Sequence, residues 1–268
     1  MQLKKLLIVT IVGIAVAVAL LFSFGVRTSY AQPALIVHAG AGIRPPLDEL
    51  GKAFEDQTGI RVDYNYKGSG CLLADICFSK KGDAYIPGEL FYIEQARKRG
   101  FIAKARTVAR MATVVIVQKD NPKNIRTLND LTRPGLRVGI GDPEAVAVGR
   151  AASECLVKAG LLKQVQQNVV MSALNVVELG IGVKLKHLDA AIVWDATAHL
   201  FEGEVERIDM PDECRVDSPI PVGLLTFSAQ PDAAERYLDF LACDDAGKVF
   251  REHGYGVPAT AASEGKNT

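Results

Sequence analysis

The stretch ALIVHAGAGIRPPLDELGKAFEDQTGIRVDYNYKGSGCLLADI, residues 34–76, decides how this chain is to be read. Leu35 to Gly40 is a short apolar run closed by glycine, the pattern of a buried strand. Beyond the loop AGAGI, Pro45 and Pro46 suit the first turn of a helix, Leu47, Leu50 and Phe54 recur on one face, and Gly59 ends it. IRVDYNYKG alternates as a second strand. Gly68, Ser69 and Gly70 then feed a second helix, expected from Gly70 to about Lys80, with Leu72, Leu73 and Ile76 apolar. Strand, helix, strand and helix in succession predict an α/β fold with a mostly parallel sheet covered by helices.

Working outward, the alternation continues. DAYIPG reads as a short strand, ELFYIEQARKRG as a third helix and ARMATVVIVQKDNP as a long strand stopped by Asn121 and Pro122. A second alternating block follows: LRVGIGDPE as strand and loop, AVAVGRAASECLVKAGL as helix, VELGIGVKLKHLDAAIVWD as the end of a helix, a turn and a strand. SPIPVGLLTFSAQP is another long strand, and PDAAERYLDFLACDDAGKVFREHGY gives two amphipathic helices. Two α/β blocks joined by long strands predict two lobes with a ligand cleft between them. Three glycine-bearing junctions, HAGAGIRPP, YKGSGCL and AVAVGR, each lead into a helix start. There, free N–H groups and a positive dipole end can hold an anion.

The N-terminus has the layout of an export signal. MQLKK is basic, Leu6 to Val26 is apolar, and RTSYAQ offers small residues with a cleavage position after Ala31. The apolar run exceeds the ~7–15 residues of an ordinary signal core and reaches the ~20 that cross a bilayer, so an uncleaved anchor is the alternative. No cysteine follows this run, which argues against a lipid anchor. Either way a periplasmic, exported location is expected. The tail 259–268 is polar and expected to be disordered. Formal charge is zero, which argues against a nucleic-acid partner while leaving room for a small anion held by local dipoles.

Export permits disulfides. The five cysteines are Cys71, Cys77, Cys155, Cys214 and Cys243, an odd number, so at least one has no partner within the chain. Cys71 and Cys77 on one helix would lie ~9 Å apart along its axis and ~120° apart around it, which disfavours a bridge. Cys155 shares an apolar helix face with Ala151, Ala152 and Ala159 and is expected in the core. Pairing of Cys214 with Cys243 stays open. With no CxxC and no Cys/His cluster, no metal site is expected.

Certain stretches carry a more specific likeness. FEDQTGIRVDYNYKGSGCLLADI, IVQKDNP, DLTRPGLRVGIGDPEAVAVGRAASECLVKAGL, LDAAIVW and YLDFLACDDAGKVFREHGY follow one another across most of residues 34–256. In that order the chain resembles the type II periplasmic solute-binding proteins of ABC importers, and among them the molybdate/tungstate-binding branch. RPGLRVGIGDPEAVAVGR is the most specific match.

The resemblance implies a two-lobed fold hinged on two crossover segments, near Val117–Lys119 and Pro221–Leu224. Residues 32–117 with 222–258 would form lobe 1 and 118–221 lobe 2. It also implies a binding function without catalysis or cofactor, an ABC permease as partner and a monomeric state. The family's contacts fall on Ala41 and Gly42, with Gly42 standing where the family has a serine. They fall also on Ser69, on the backbone N–H of Val148, on a backbone N–H near Val170, and on Trp194 in place of a tyrosine. The ligand implied is molybdate or tungstate. These departures leave open another anion: sulfate, a phosphate-like species or a small carboxylate.

Fully deprotonated molybdate, tungstate or sulfate needs only donors, whereas phosphate keeps a proton that asks for an acceptor. Asp142 and Glu144 near the third loop read as turn and helix-start residues. Lys67, Arg44 and Arg150 flank the loops and are expected to be solvated or paired with neighbours. An exported enzyme using Cys71 as nucleophile is the competing class. Against it, Cys71 is expected to pack behind the binding loop.

Overall fold

The computed structural model describes residues 34–258; the export segment 1–31 and the tail 259–268 lie outside them. The described residues form one nine-stranded sheet with helices on both sides. The strands are β1 (Leu35–Gly40), β2 (Val62–Lys67), β3 (Ala84–Ile86), β4 (Ile102–Gln118), β5 (Val138–Gly141), β6 (Val169–Ala173), β7 (Ala190–Trp194), β8 (Val205–Asp209) and β9 (Asp217–Leu225). Their order is β2-β1-β3-β9-β4-β7-β5-β6, with β8 also pairing β4.

The sheet is mixed rather than mostly parallel. β1 is parallel to β2 and β3, and β5 to β6 and β7. The pairings made by β4 with β7, β8 and β9, and by β9 with β3, are antiparallel. The physical reason lies in the connections. Each strand–helix–strand block returns in the same direction, but the long strands that join the blocks run back alongside them, and a chain that reverses pairs antiparallel.

β4 is also longer than its apolar pattern predicts. Residues 102–108 alternate with charged and half-exposed side chains and carry no continuous apolar signal; their strand state comes from pairing with β9. β4 changes partners along its length. Ile102 to Ala112 pairs β9, and Thr113 to Gln118 lies between β7 and β8.

The helices fall close to the periodic segments. α1 (Arg44–Thr58) has proline in its first turn and Gly59 in the left-handed conformation, φ 73°, as C-cap. α2 (Ser69–Ser79), α3 (Leu90–Lys98), α4 (Ala147–Lys158), α5 (Leu162–Gln166), α6 (Val176–Lys184), α7 (Asp195–Leu200), α8 (Pro231–Leu241) and α9 (Asp244–Glu252) complete the described set.

Two apolar clusters flank the sheet. Val114 and Ile116 face one, with Phe54, Tyr85, Tyr237 and Phe250. Val115 and Val117 face the other, with Ile125, Val138, Ile192 and Cys155. This is the two-residue alternation of a strand buried on both faces. The first cluster continues through Val146, Val148, Val176 and Trp194, so the helix starts of both blocks share one core.

Candidate functional site

The helix starts converge on a cavity of about 30 Å³. About 10–15 Å³ corresponds to one water molecule in this measure, so the space suits an ion of a few heavy atoms. One wall is Gly40, the last residue of β1, and Ala41–Ile43, a single 3₁₀ turn that leads directly into α1. A second is Gly68 and Ser69 at the start of α2. The third is Val146, Ala147 and Val148 at the start of α4. Asn175 and Val176 at the start of α6 form the fourth, with Gly88, Met111, Lys67 and Trp194 between them.

Each of these positions has a local cause. The hydroxyl of Tyr255 donates to the Gly42 carbonyl and ties the first turn to the C-terminal region. Gly42 leaves no room for a side chain: a Cβ there would come within 2.7 Å of Val176 Cγ1. Ser69 is the first residue of α2, not its N-cap; Gly68 takes that place, with no side-chain cap. Instead the Ser69 hydroxyl accepts from the Gly88 N–H at 3.0 Å, while its carbonyl accepts from the buried Tyr85 hydroxyl at 2.7 Å. The Ser69 proton is thereby left to donate elsewhere.

Asp142 Oδ1 accepts from the N–H groups of Glu144 and Ala145 and so shapes the turn before α4, as its position predicts. Ala147 and Val148 are the first two residues of α4 and have no intrahelical acceptor for their N–H groups. Asn175 caps α6 by accepting from the Glu178 N–H at 3.1 Å, which leaves Val176 at the open end.

Of the six residues the sequence points to, Ala41, Gly42, Ser69, Val148 and Trp194 line this cavity. Val170 does not. It lies in β6, the edge strand, with 61% of its surface exposed. The helix start reaching the cavity comes after that strand, at Asn175 and Val176. The signal was present: asparagine followed three residues later by glutamate marks a helix N-terminus. Reading VELGIGVKLKHLDAAIVWD as only the end of a helix hides it.

Trp194 ends β7 opposite Thr113 and is 3% exposed. The next residue, Asp195, accepts from the N–H groups of Ala112 and Ala196 and holds β7 to β4. Burial pushes its carboxyl above the ordinary range despite those two donors.

The cations near the loops are all engaged. Lys67 Nζ is 2.6 Å from Asp75, and that bond holds the Asp75 carboxyl below its usual range. Arg44 lies over the Tyr66 ring at 4.5 Å. Arg150 pairs with both carboxylate oxygens of Glu89 and lies over Phe91. No acidic side chain lines the cavity. Cys71 lies outside its wall, and no group of described residues is arranged to hold a metal ion.

The two sides of the cavity touch. The Gly70 N–H donates to the Ala145 carbonyl at 2.9 Å. A Cβ at Gly68 would meet the Ala145 and Leu174 carbonyls at 2.5 Å, and one at Gly70 would run into the Glu144 carbonyl. Glycine at both positions is what lets the backbones close on each other.

Residues 35–256 match the model of the bacterial extracellular solute-binding proteins. The chain belongs to that family. Among relatives, this binding protein is 29% identical to a Haemophilus influenzae protein described only as a binding protein, over 92% of this chain and 98% of the other. It is 24% identical to the molybdate-binding protein ModA of Mycobacterium bovis, over 84% and 85%. Among solved structures it is similar to the periplasmic molybdate-binding protein of Azotobacter vinelandii, with a TM-score of 0.74 and 19% identity over 84% of this chain and 100% of that one. The fold of this binding protein is therefore the type II periplasmic binding fold.

Proposed function

We propose that this protein captures a small tetrahedral oxyanion outside the cytoplasm, molybdate or tungstate first, and hands it to the permease of an ABC importer. The observation that carries the reading is the cavity wall. Four helix starts and the Ser69 hydroxyl offer donors; no carboxylate and no unengaged cation faces them. Such a wall suits an anion that carries no proton and needs only hydrogen-bond donors and dipoles. A protonated phosphate would leave its own O–H without an acceptor, a cost of about 1–3 kcal/mol. The relatives named for molybdate support the choice within this class.

The lobes are 32–117 with 222–258, and 118–221, as the sequence divides them. The hinge expected from the resemblance is near Val117–Lys119 and Pro221–Leu224; the partner change in β4 at Ala112–Thr113, beside the start of β9 at Asp217, lies a few residues before each and would suit the same closure. A monomer suffices, since both sides of the cavity come from one chain. Binding rather than catalysis fits membership of a solute-binding family.

A second reading, another anion such as sulfate, a phosphate-like species or a small carboxylate, is favoured by Gly42 and Trp194. Those positions replace a serine and a tyrosine of the molybdate/tungstate-binding branch. Titration calorimetry of the exported chain against molybdate, tungstate, sulfate, phosphate and lactate decides between them. Tight binding of molybdate and tungstate with phosphate at least tenfold weaker is expected. Binding of lactate or phosphate alone would move the assignment to the second reading. No heat with any of the five would overturn both.

A further inference from the structure

Cys155 and Cys214 meet inside the second block. Cys155 lies on the inner face of α4, fully buried, and Cys214 sits in the turn between β8 and β9, 1% exposed. Their Sγ atoms are 2.7 Å apart. That is closer than the ~3.5–4.0 Å at which even smaller carbon atoms rest in non-bonded contact. Pairing of Cys214 with Cys243 is not what the fold favours, because Cys243 is exposed at the start of α9 and its sulfur accepts from the Ala246 N–H. Cys71 and Cys77 both lie on the unbroken helix α2.

We propose that Cys155 and Cys214 form a disulfide under oxidising conditions, leaving Cys71, Cys77 and Cys243 as thiols. The reaction is thiol–disulfide exchange with a small-molecule or protein disulfide as oxidant. One of the two thiols, as thiolate, attacks a sulfur of the oxidant and expels one thiol from it. The second then displaces the other oxidant sulfur from the mixed disulfide. Two protons and two electrons leave the cysteines, and the oxidant becomes two thiols. Burial pushes the Cys155 thiol well above its ordinary pKa. Exchange therefore takes place before the core closes, or when the turn at 211–215 opens.

The bond would close a loop of 59 residues that contains Asn175 and Val176, one of the four cavity walls, and Trp194. It would also tie the segment entering β9 to α4, whose first turn carries Val148. The pairing itself rests on this geometry. Only its occurrence in the exported protein rests on the export reading.

The test has two arms. The full chain is reduced, unfolded and refolded in a buffer of oxidised and reduced glutathione, and a second sample is recovered from an oxidising extracytoplasmic compartment. Both are denatured without reductant, alkylated with iodoacetamide and digested for mass spectrometry. The glutathione arm is expected to yield the Cys155–Cys214 peptide pair, with alkylation confined to Cys71, Cys77 and Cys243. Reduction is expected to lower the thermal midpoint by about 5–15 °C, and Cys155→Ser/Cys214→Ser to abolish that difference. Cys243→Ser should leave the linked pair intact. Alkylation of both Cys155 and Cys214 in the glutathione arm, or a link joining either to another cysteine, would overturn the proposal. A link in that arm alone would uphold the pairing and overturn its occurrence in the exported protein.

Discussion

Ser69 concentrates the chemistry of the site in one hydroxyl. Its oxygen is occupied by the Gly88 N–H, so its proton is free for an anion, and it is 3% exposed. Ser69→Ala removes a hydrogen bond to a charged group, worth about 1.5–3 kcal/mol, or roughly a 10- to 150-fold loss of affinity. Calorimetry with molybdate checks this. The fold should persist at a cost of about 1–3 kcal/mol, since the Gly88 N–H loses its acceptor while the α2 cap does not use that hydroxyl.

His38 makes a different prediction. It sits on β1, two residues before Gly40 of the cavity wall, 6% exposed. Its Nε2 is 3.0 Å from the Lys81 carbonyl and its Nδ1 is 3.1 Å from Asn65 Nδ2. A neutral ring donates to the first and accepts from the second, so both contacts are satisfied without charge. Burial depresses its pKa below 6.5, offset in part by the Lys81 carbonyl, Asp75 and Asp83, and reinforced by Lys67. Between the depressed value and 6.5 the unfolded chain binds the proton and the folded chain does not. Stability therefore falls as pH drops below about 6.5 and is fully present above it. Thermal midpoints from pH 7.5 to 5.5 should show this fall, and His38→Gln should flatten it.

Among the elements, the start of α2 is both a wall of the cavity and the place where its two sides meet. Gly70 is helical, and alanine there would strengthen the helix by up to about 1 kcal/mol. Its Cβ would nevertheless strike the Glu144 carbonyl across the cleft. Gly70→Ala is thus expected to keep or raise the ligand-free thermal midpoint while weakening molybdate binding at least tenfold. A variant that binds as tightly as the parent would show that the contact at Gly70 is not needed in the bound state. The α6 start teaches a related lesson. Its capping asparagine is visible in the sequence, but which helix start reaches the cavity depends on where β6 ends against β5, at Ala173, three residues beyond Val170.

For the whole molecule, the proposed closure of two lobes is the property at stake. Arg150 of α4 reaches Glu89, which precedes α3 on the other side of the cleft, and Glu89 is 4% exposed. Burial pushes the Glu89 carboxyl up and Arg150 draws it down, so this carboxylate depends on its partner. Arg150→Ala would leave it uncompensated only where the two sides meet. Removing one partner of a buried pair costs about 3–5 kcal/mol. Part of that cost is relieved by opening, and an affinity loss of tenfold or more is expected. In X-ray scattering the parent should contract on adding molybdate, and the variant should need more ligand to do so. Equal contraction at equal ligand would remove Arg150 from closure.

The sequence by itself determined the alternation of strands and helices and the glycine-led helix starts; the site residues it named came from its family resemblance. The alternation and the helix starts depend on local chemistry: periodicity, cap residues and the freedom of glycine. Only the tertiary structure decided the antiparallel course of β4 and β9, the substitution of Asn175 and Val176 for Val170, and the partners of Lys67, Arg150 and Cys155. Those features join residues far apart in the chain. Strand direction follows from how two blocks are connected in space, and an ion pair or a thiol contact exists only once packing brings its two halves within reach.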